Sequence, residues 1–156
     1  METLKIFIVD DDLSYASVLK FYIKNNCSTS ADITIYSTGE KMLQNLKKNP
    51  DLIFLDFYLN GKLQQARNGL SILKKIMYRF SKAKVIMLSS QNNIEMALNA
   101  IKSGATEYIV KDKTEFTKVS SIVSDVVKRK EKRKREFIFL LLFLLLFTLY
   151  VLNKII

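Results

Sequence analysis

The sequence contains no histidine, and this absence removes several kinds of chemistry. Ser-His-Asp catalysis, histidine-ligated metal sites and a phosphodonor histidine are excluded. Cys27 is the only cysteine, so neither an internal disulfide nor a cysteine-ligated zinc site can form. Four glycines and one proline leave no low-complexity linker or internal repeat. A secretory signal peptide is not expected, because a run of acids begins at Asp10.

That run of acids follows the apolar stretch from Ile6 to Val9 without a break. The apolar stretch is typical of a strand that is buried on both faces. Asp10, Asp11 and Asp12 repel one another, so they should lie at the surface, in a site that binds a cation. Asp12 alone is expected to cap the following helix.

Apolar runs and helical periodicity alternate along the chain. Five strands and five helices predict a doubly wound α/β domain with a five-stranded parallel sheet over about residues 1–127. The predicted strands are 6–9, 32–36, 52–55, 85–88 and 108–110.

Two helix boundaries carry specific predictions. The second helix is expected to begin after Ser37 or Thr38 and to continue to about Lys48. The last helix is expected to begin at an Asp112 cap, with Glu115 returning a bond to the cap's backbone.

Polar residues follow four of the predicted strands. Since the carboxyl ends of parallel strands share one edge of a sheet, these side chains should converge. The expected cluster holds three carboxylates, one hydroxyl and one ammonium. Its members are Asp10, Asp11, Asp56, Ser89 and Lys111.

This set resembles the receiver domain of two-component response regulators, chemotaxis regulators included. The matching features are Val9-Asp10-Asp11, Asp56, Ser89, Lys111 and Tyr108 three residues before the lysine. The resemblance covers about residues 3–127 and implies the flavodoxin-like strand order 2-1-3-4-5. The alternative is a flavodoxin-like nucleotide binder, which needs a phosphate-binding loop after strand 1. Three aspartates at that place would repel a phosphate group.

The resemblance implies a role for each residue. Asp56 would accept a phosphoryl group from a histidine kinase or a histidine phosphotransfer protein. Mg²⁺ would be held by Asp10, Asp11, Asp56 and the backbone carbonyl of Tyr58. Ser89 and Lys111 would stabilise the phosphoryl group, and Ser89 and Tyr108 would form the switch. Self-phosphorylation and self-dephosphorylation would be the only chemistry, and we expect Tyr58 to shield the phosphoryl group from water.

Three positions and the length of one loop depart from the family pattern. Asn60 and Asp112 stand where the family usually has proline, and Ser90 replaces a small apolar residue. Residues 62–67 lengthen the loop after Asp56. These departures bear on loop geometry and phosphoryl lifetime.

The chain ends in a basic segment followed by an apolar one. Residues 128–136 carry seven bases and two acids, and residues 137–152 carry no charge. Residues 137–156 form a predicted transmembrane helix, since 20 helical residues span about 30 Å. A buried or oligomerising helix is the alternative. The basic segment is expected to lie against anionic lipid on the cytoplasmic side of the inner membrane, rather than on nucleic acid.

Together these features predict a membrane-tethered, single-domain response regulator that signals to a protein target. The alternative is a phosphorylation-independent membrane adaptor built on the same fold. A basic nucleic-acid binder is a third possibility, and it predicts salt-sensitive binding to DNA.

Overall fold

Five strands lie in one parallel sheet: β1 (Leu4–Val9), β2 (Ala31–Tyr36), β3 (Leu52–Asp56), β4 (Lys84–Ser89) and β5 (Glu107–Val110). Their order is β2-β1-β3-β4-β5, with parallel pairing throughout. This computed structural model describes residues 3–27, 30–45, 49–59, 69–79, 84–112 and 114–155. The predicted fold and strand order are confirmed.

Helices alternate with the strands along the chain. They are α1 (Leu13–Asn26), α2 (Gly39–Gln44), α3 (Gly69–Arg79), α4 (Ile94–Lys102) and α5 (Glu115–Ile155). Asn60 and the lengthened loop at residues 62–67 lie outside the described residues.

The central strands are buried on both faces, as the continuous apolar runs predict. In β3 every residue from Leu52 to Asp56 is buried. Successive side chains of a strand point to opposite faces, so alternate residues enter different cores. Ile53 and Leu55 join one core with Ile72 and Leu73 of α3. This two-sided burial fixes the sheet and therefore the positions of the strand ends.

Two predicted helix caps are confirmed. The Asp12 carboxylate accepts hydrogen bonds from the backbone N–H groups of Ser14 (3.0 Å) and Tyr15 (3.1 Å). The hydroxyl of Thr38, rather than that of Ser37, accepts from the N–H of Lys41 at 3.3 Å. Each bond satisfies a donor that the first helical turn would otherwise leave unpaired.

The second helix ends earlier than predicted. It stops at Gln44, and Asn45 donates its backbone N–H to the Met42 carbonyl at 2.9 Å. The Asn45 side-chain amide donates to the Lys41 carbonyl at 2.9 Å. These bonds satisfy the last carbonyls of α2 and close it locally. Residues 46–48 lie outside the described residues.

The capping box predicted for the last helix is wrong. Asp112 accepts from the N–H and the hydroxyl of Thr114, both at 2.7 Å, but its own N–H donates to the Val110 carbonyl. The helix begins at Glu115, whose carboxylate accepts from the Tyr15 hydroxyl at 3.1 Å. Glu115 is buried, so a tertiary donor replaces the local one.

The contacts divide the chain into two compact units, residues 1–124 and 125–156. The first unit holds the sheet. In the second, the large apolar side chains of residues 137–152 are exposed, and α5 contains the one stretch of the described residues that is long and apolar enough to cross a membrane. The predicted boundaries at 127/128 and 136/137 stay predictions.

Candidate functional site

Backbone hydrogen bonds continue past the ends of the strands and hold the first residues beyond them. The N–H of Asp10 donates to the Tyr36 carbonyl at 3.0 Å, and that of Lys111 to the Ser89 carbonyl at 2.8 Å. Residues that follow different strands are therefore fixed at one edge of the sheet, as predicted from the parallel topology.

Lys111 joins two buried carboxylates at this edge. Its ammonium lies 2.7 Å from Oδ2 of Asp10 and 2.7 Å from Oδ1 of Asp56. The other oxygen of each acid accepts a hydrogen bond from the backbone N–H two residues later, that of Asp12 (2.9 Å) or Tyr58 (2.8 Å). Both carboxylates are thus oriented in the same way.

Burial raises the pKa of Asp10 to about 6, against the opposing hydrogen bond and charge of Lys111. Burial also opposes the charge of Lys111, but its bonds to Asp10 and Asp56 outweigh this effect, and the pKa of Lys111 is raised. The ammonium is therefore held charged beside the acids.

Three carboxylates at this edge could share a cation. Asp10, Asp11 and Asp56 each offer an oxygen, and these oxygens lie within 4.8 Å of one another. Among the described residues, Lys111 is the one cation that pairs with this group, through Asp10 and Asp56. Three carboxylates therefore face one ammonium, and negative charge exceeds positive charge. An all-oxygen set with surplus negative charge fits Mg²⁺. A role for the Tyr58 carbonyl stays a prediction.

Gln91, in the loop after β4, connects the two predicted switch residues, Ser89 and Tyr108, and sequence reasoning missed it. Its N–H donates to the hydroxyl of Ser89 at 3.1 Å. Its backbone carbonyl accepts from the Tyr108 hydroxyl at 2.8 Å, and its side-chain oxygen accepts from the Tyr58 hydroxyl at 2.9 Å. Ser89, Tyr58 and Tyr108 therefore share one neighbour. Nothing in the local sequence marks Gln91 apart from its position two residues after Ser89.

One further residue, Tyr15, lies beside the ammonium, and it was not predicted from the sequence. Lys111 Nζ lies 4.1 Å from the centroid of the Tyr15 ring. Tyr15 in turn donates to Glu115. The sequence feature that could have identified Tyr15 is its place in the first turn of α1, three residues after Asp12.

Comparisons with known proteins agree with this geometry. Residues 6–122 match the family model described as the response regulator receiver domain. The chain is 33% identical over 112 residues to the chemotaxis protein CheY of Listeria monocytogenes, covering 69% of this chain and 86% of that one. The receiver domain of a putative Luxo repressor protein from Vibrio parahaemolyticus superposes with a TM-score of 0.70 at 25% identity, covering 85% of this chain and 96% of that one.

Proposed function

Because the chain belongs to the response regulator receiver domain family of two-component signalling, we propose that it is switched by a phosphoryl group transferred to Asp56. The observation that carries this proposal is the 2.7 Å contact between Asp56 Oδ1 and the Lys111 ammonium, beside the grouped oxygens of Asp10 and Asp11.

The donor is a phosphohistidine of a histidine kinase or a histidine phosphotransfer protein. Asp56 Oδ1 forms a bond to phosphorus while the phosphorus–nitrogen bond breaks, and the electron pair leaves with the imidazole nitrogen. We assign the attack to Oδ1 because its partner, the Lys111 ammonium, can pass to the phosphoryl oxygens, whereas Oδ2 is held by the backbone N–H of Tyr58. The Lys111 ammonium then pairs with the phosphoryl oxygens. Attack by water on phosphorus breaks the bond to Asp56 Oδ1, returns its electron pair to the carboxylate and releases inorganic phosphate. No other catalytic activity is proposed.

Mg²⁺ would be held directly by Asp11 and Asp56 and through water by Asp10, with the Tyr58 carbonyl completing the protein ligands. When bound, the cation offsets negative charge on the transferring phosphoryl group. Asp10 and Asp56 are oriented for this role by the hydrogen bonds to one oxygen of each.

Ser89 and Tyr108 would turn the modification into a surface change. Ser89 is buried, and its hydroxyl accepts from Gln91. A hydrogen bond from this hydroxyl to the phosphoryl group would displace the loop that holds the Tyr108 hydroxyl. The face made by α4, β5 and α5 would then bind a downstream protein.

The C-terminal segments would tether the domain to the cytoplasmic face of the inner membrane. Residues 137–156 would span the bilayer once, and the basic residues 128–136 would contact anionic lipid. The exposed apolar side chains of α5 support this assignment, since a soluble helix normally buries such a surface. No nucleic-acid partner is proposed.

Incubation of the chain with Mg²⁺ and acetyl phosphate, followed by intact mass measurement, tests the modification. Wild type should gain one phosphate, and Asp56→Asn should gain none. Lack of an adduct on folded wild type would instead favour the phosphorylation-independent adaptor.

Flotation with lipid vesicles tests the tether. The full chain should float with vesicles and resist high salt, whereas a chain shortened after residue 136 should bind only anionic vesicles and only at low salt. Recovery of the full chain in the soluble fraction would contradict the tether.

A further inference from the structure

Lys111 has a third neighbour that differs in kind from its two carboxylate partners. The Tyr15 ring centroid lies 4.1 Å from the Lys111 Nζ, well within the range of a cation–π contact. During transfer the ammonium must leave Asp56 Oδ1 for the phosphoryl oxygens. A contact with the ring does not compete for that oxygen, so it can persist while the carboxylate partners change.

Tyr15 is itself held by two hydrogen bonds, one at its backbone and one at the end of its side chain. Its backbone N–H is bonded to the Asp12 cap at 3.1 Å, and its hydroxyl donates to Glu115 Oε1 at 3.1 Å. Glu115 is 3% exposed, and within the described part of the chain its Oε2 has no hydrogen-bond partner. The carboxylate therefore has one observed donor, and that donor is Tyr15.

The protonation of the Tyr15 hydroxyl suits a fixed donor. Burial, followed by the nearby Glu115 charge, raises the pKa of Tyr15, so its hydroxyl keeps the proton that it donates. The ring is thus attached to the start of α5, four residues after Lys111 in the chain.

We propose that Tyr15, held by Glu115, is a positioning residue that keeps the Lys111 ammonium aimed at the incoming phosphoryl group. This inference rests on the proposed phosphorylation of Asp56. A cation–π contact at a partly buried site corresponds to roughly a three- to thirtyfold effect on rate. The ring, rather than the hydroxyl, makes this contact.

The first test measures the rate of phosphorylation of the full chain by acetyl phosphate at saturating Mg²⁺. Tyr15→Leu should slow the reaction roughly tenfold per folded molecule. Tyr15→Phe keeps the ring and should restore most of the rate. Glu115→Gln keeps an acceptor oxygen and should also be close to wild type, whereas Glu115→Leu should be slowed.

Tyr22→Leu is the matched control. Tyr22 also lies on α1 and also reaches α5, where its hydroxyl shares a hydrogen bond of 2.8 Å with Ser120 and its ring packs on Phe116. It should lose stability without losing rate per folded molecule. Equal rates for Tyr15→Leu and Tyr22→Leu would overturn the positioning role, while absence of phosphorylation in wild type would overturn the proposed function instead.

A spectroscopic readout covers the case in which Tyr15→Leu fails to fold. Protons above an aromatic ring resonate upfield, so the ε-methylene protons of Lys111, assigned by comparison with Lys111→Met, should be shifted upfield in wild type. Glu115→Leu keeps the ring but removes its acceptor, and the shift should shrink. Lys111 ε-methylene protons at the usual chemical shift of a lysine in wild type would contradict the proposal.

Discussion

The hydroxyl of Tyr58 donates a hydrogen bond to the side-chain oxygen of Gln91 at 2.9 Å, joining the loops that follow β3 and β4. The same hydroxyl lies 3.4 Å from Met96 Sδ in α4. At its other end, the Tyr58 N–H is bonded to Asp56. Tyr58 therefore runs from the proposed phosphoacceptor to the neighbouring loop, in a place where it can limit the approach of water.

Tyr58→Ala should shorten the lifetime of the aspartyl phosphate about fivefold, a change of ~1 kcal/mol in the barrier, because water gains access to phosphorus. Tyr58→Phe keeps the ring, so its aspartyl phosphate lifetime should lie between those of wild type and Tyr58→Ala. Decay of the phosphorylated mass after removal of acetyl phosphate gives the rate. Tyr78→Ala, at a tyrosine that is 91% exposed, is the control. An unchanged lifetime in Tyr58→Ala would show that the ring does not shield the site.

The fold and the edge cluster were predictable because their signals are local. A strand buried on both faces is a continuous apolar run, and β3 reads as one up to Asp56. Strand–helix alternation then allows essentially one handedness for the crossover connections between parallel strands. The polar strand ends are thereby brought together at one edge of the sheet. The caps at Asp12 and Thr38 are equally local.

Glu115 shows why the rest was not predictable. Its spacing from Asp112 satisfies a capping-box pattern, yet its carboxylate is bonded to Tyr15, 100 residues away. Burial of a carboxylate demands a hydrogen-bond donor, and only the folded chain shows which donor is in reach. Gln91 was missed for the same reason, since Tyr58, in the loop after β3, and Tyr108, in β5, are both distant from it in sequence.

Lys111→Met should affect metal binding and phosphoryl transfer in opposite directions. Removal of a positive charge 2.7 Å from two candidate ligands should strengthen Mg²⁺ binding by about tenfold. Phosphorylation should nevertheless slow, because the ammonium no longer pairs with the phosphoryl oxygens. Calorimetric titration with Mg²⁺ and the mass assay measure the two effects. Lys102→Met, an exposed site on α4, should change neither, and weaker Mg²⁺ binding in Lys111→Met would contradict the assigned geometry.

The stability of the metal-free chain should depend on Asp10. Its pKa is raised from 3.8 to about 6, so the folded state binds more protons than the unfolded state between these values. The stabilisation from this group is complete below pH 3.8 and is lost as pH rises through about 6, by at most ~3 kcal/mol. Denaturant unfolding in EDTA should show this loss in wild type but not in Asp10→Asn.

Added Mg²⁺ should oppose that loss. The cation binds ionised carboxylates, so it stabilises the folded chain more as pH rises. Parallel pH profiles for wild type and Asp10→Asn without metal would show that Asp10 is not the titrating group.

Gly69→Ala should disturb the phosphoacceptor through the backbone. A Cβ at Gly69 would collide with the carbonyl oxygen of Asp56 and lie 3.0 Å from the Cα of Phe57. The N–H of Gly69 also donates to the Phe57 carbonyl at 2.9 Å, so α3 cannot move away without breaking this bond. We expect a loss of ~2 kcal/mol or more in the free energy of unfolding, together with slower phosphorylation of the molecules that remain folded.

Gly104→Ala separates these two effects. Gly104 has a φ of +103°, so alanine there is strained, and its Cβ would press on Met77. It should cost stability by a comparable ~1–2 kcal/mol. Gly104 follows α4, and the atoms nearest to a Cβ there belong to Met77 rather than to Asp56, so its folded fraction should be phosphorylated at the wild-type rate. Initial rates normalised to the folded fraction distinguish the variants, because only Gly69→Ala should displace the carboxylate that is proposed to attack phosphorus.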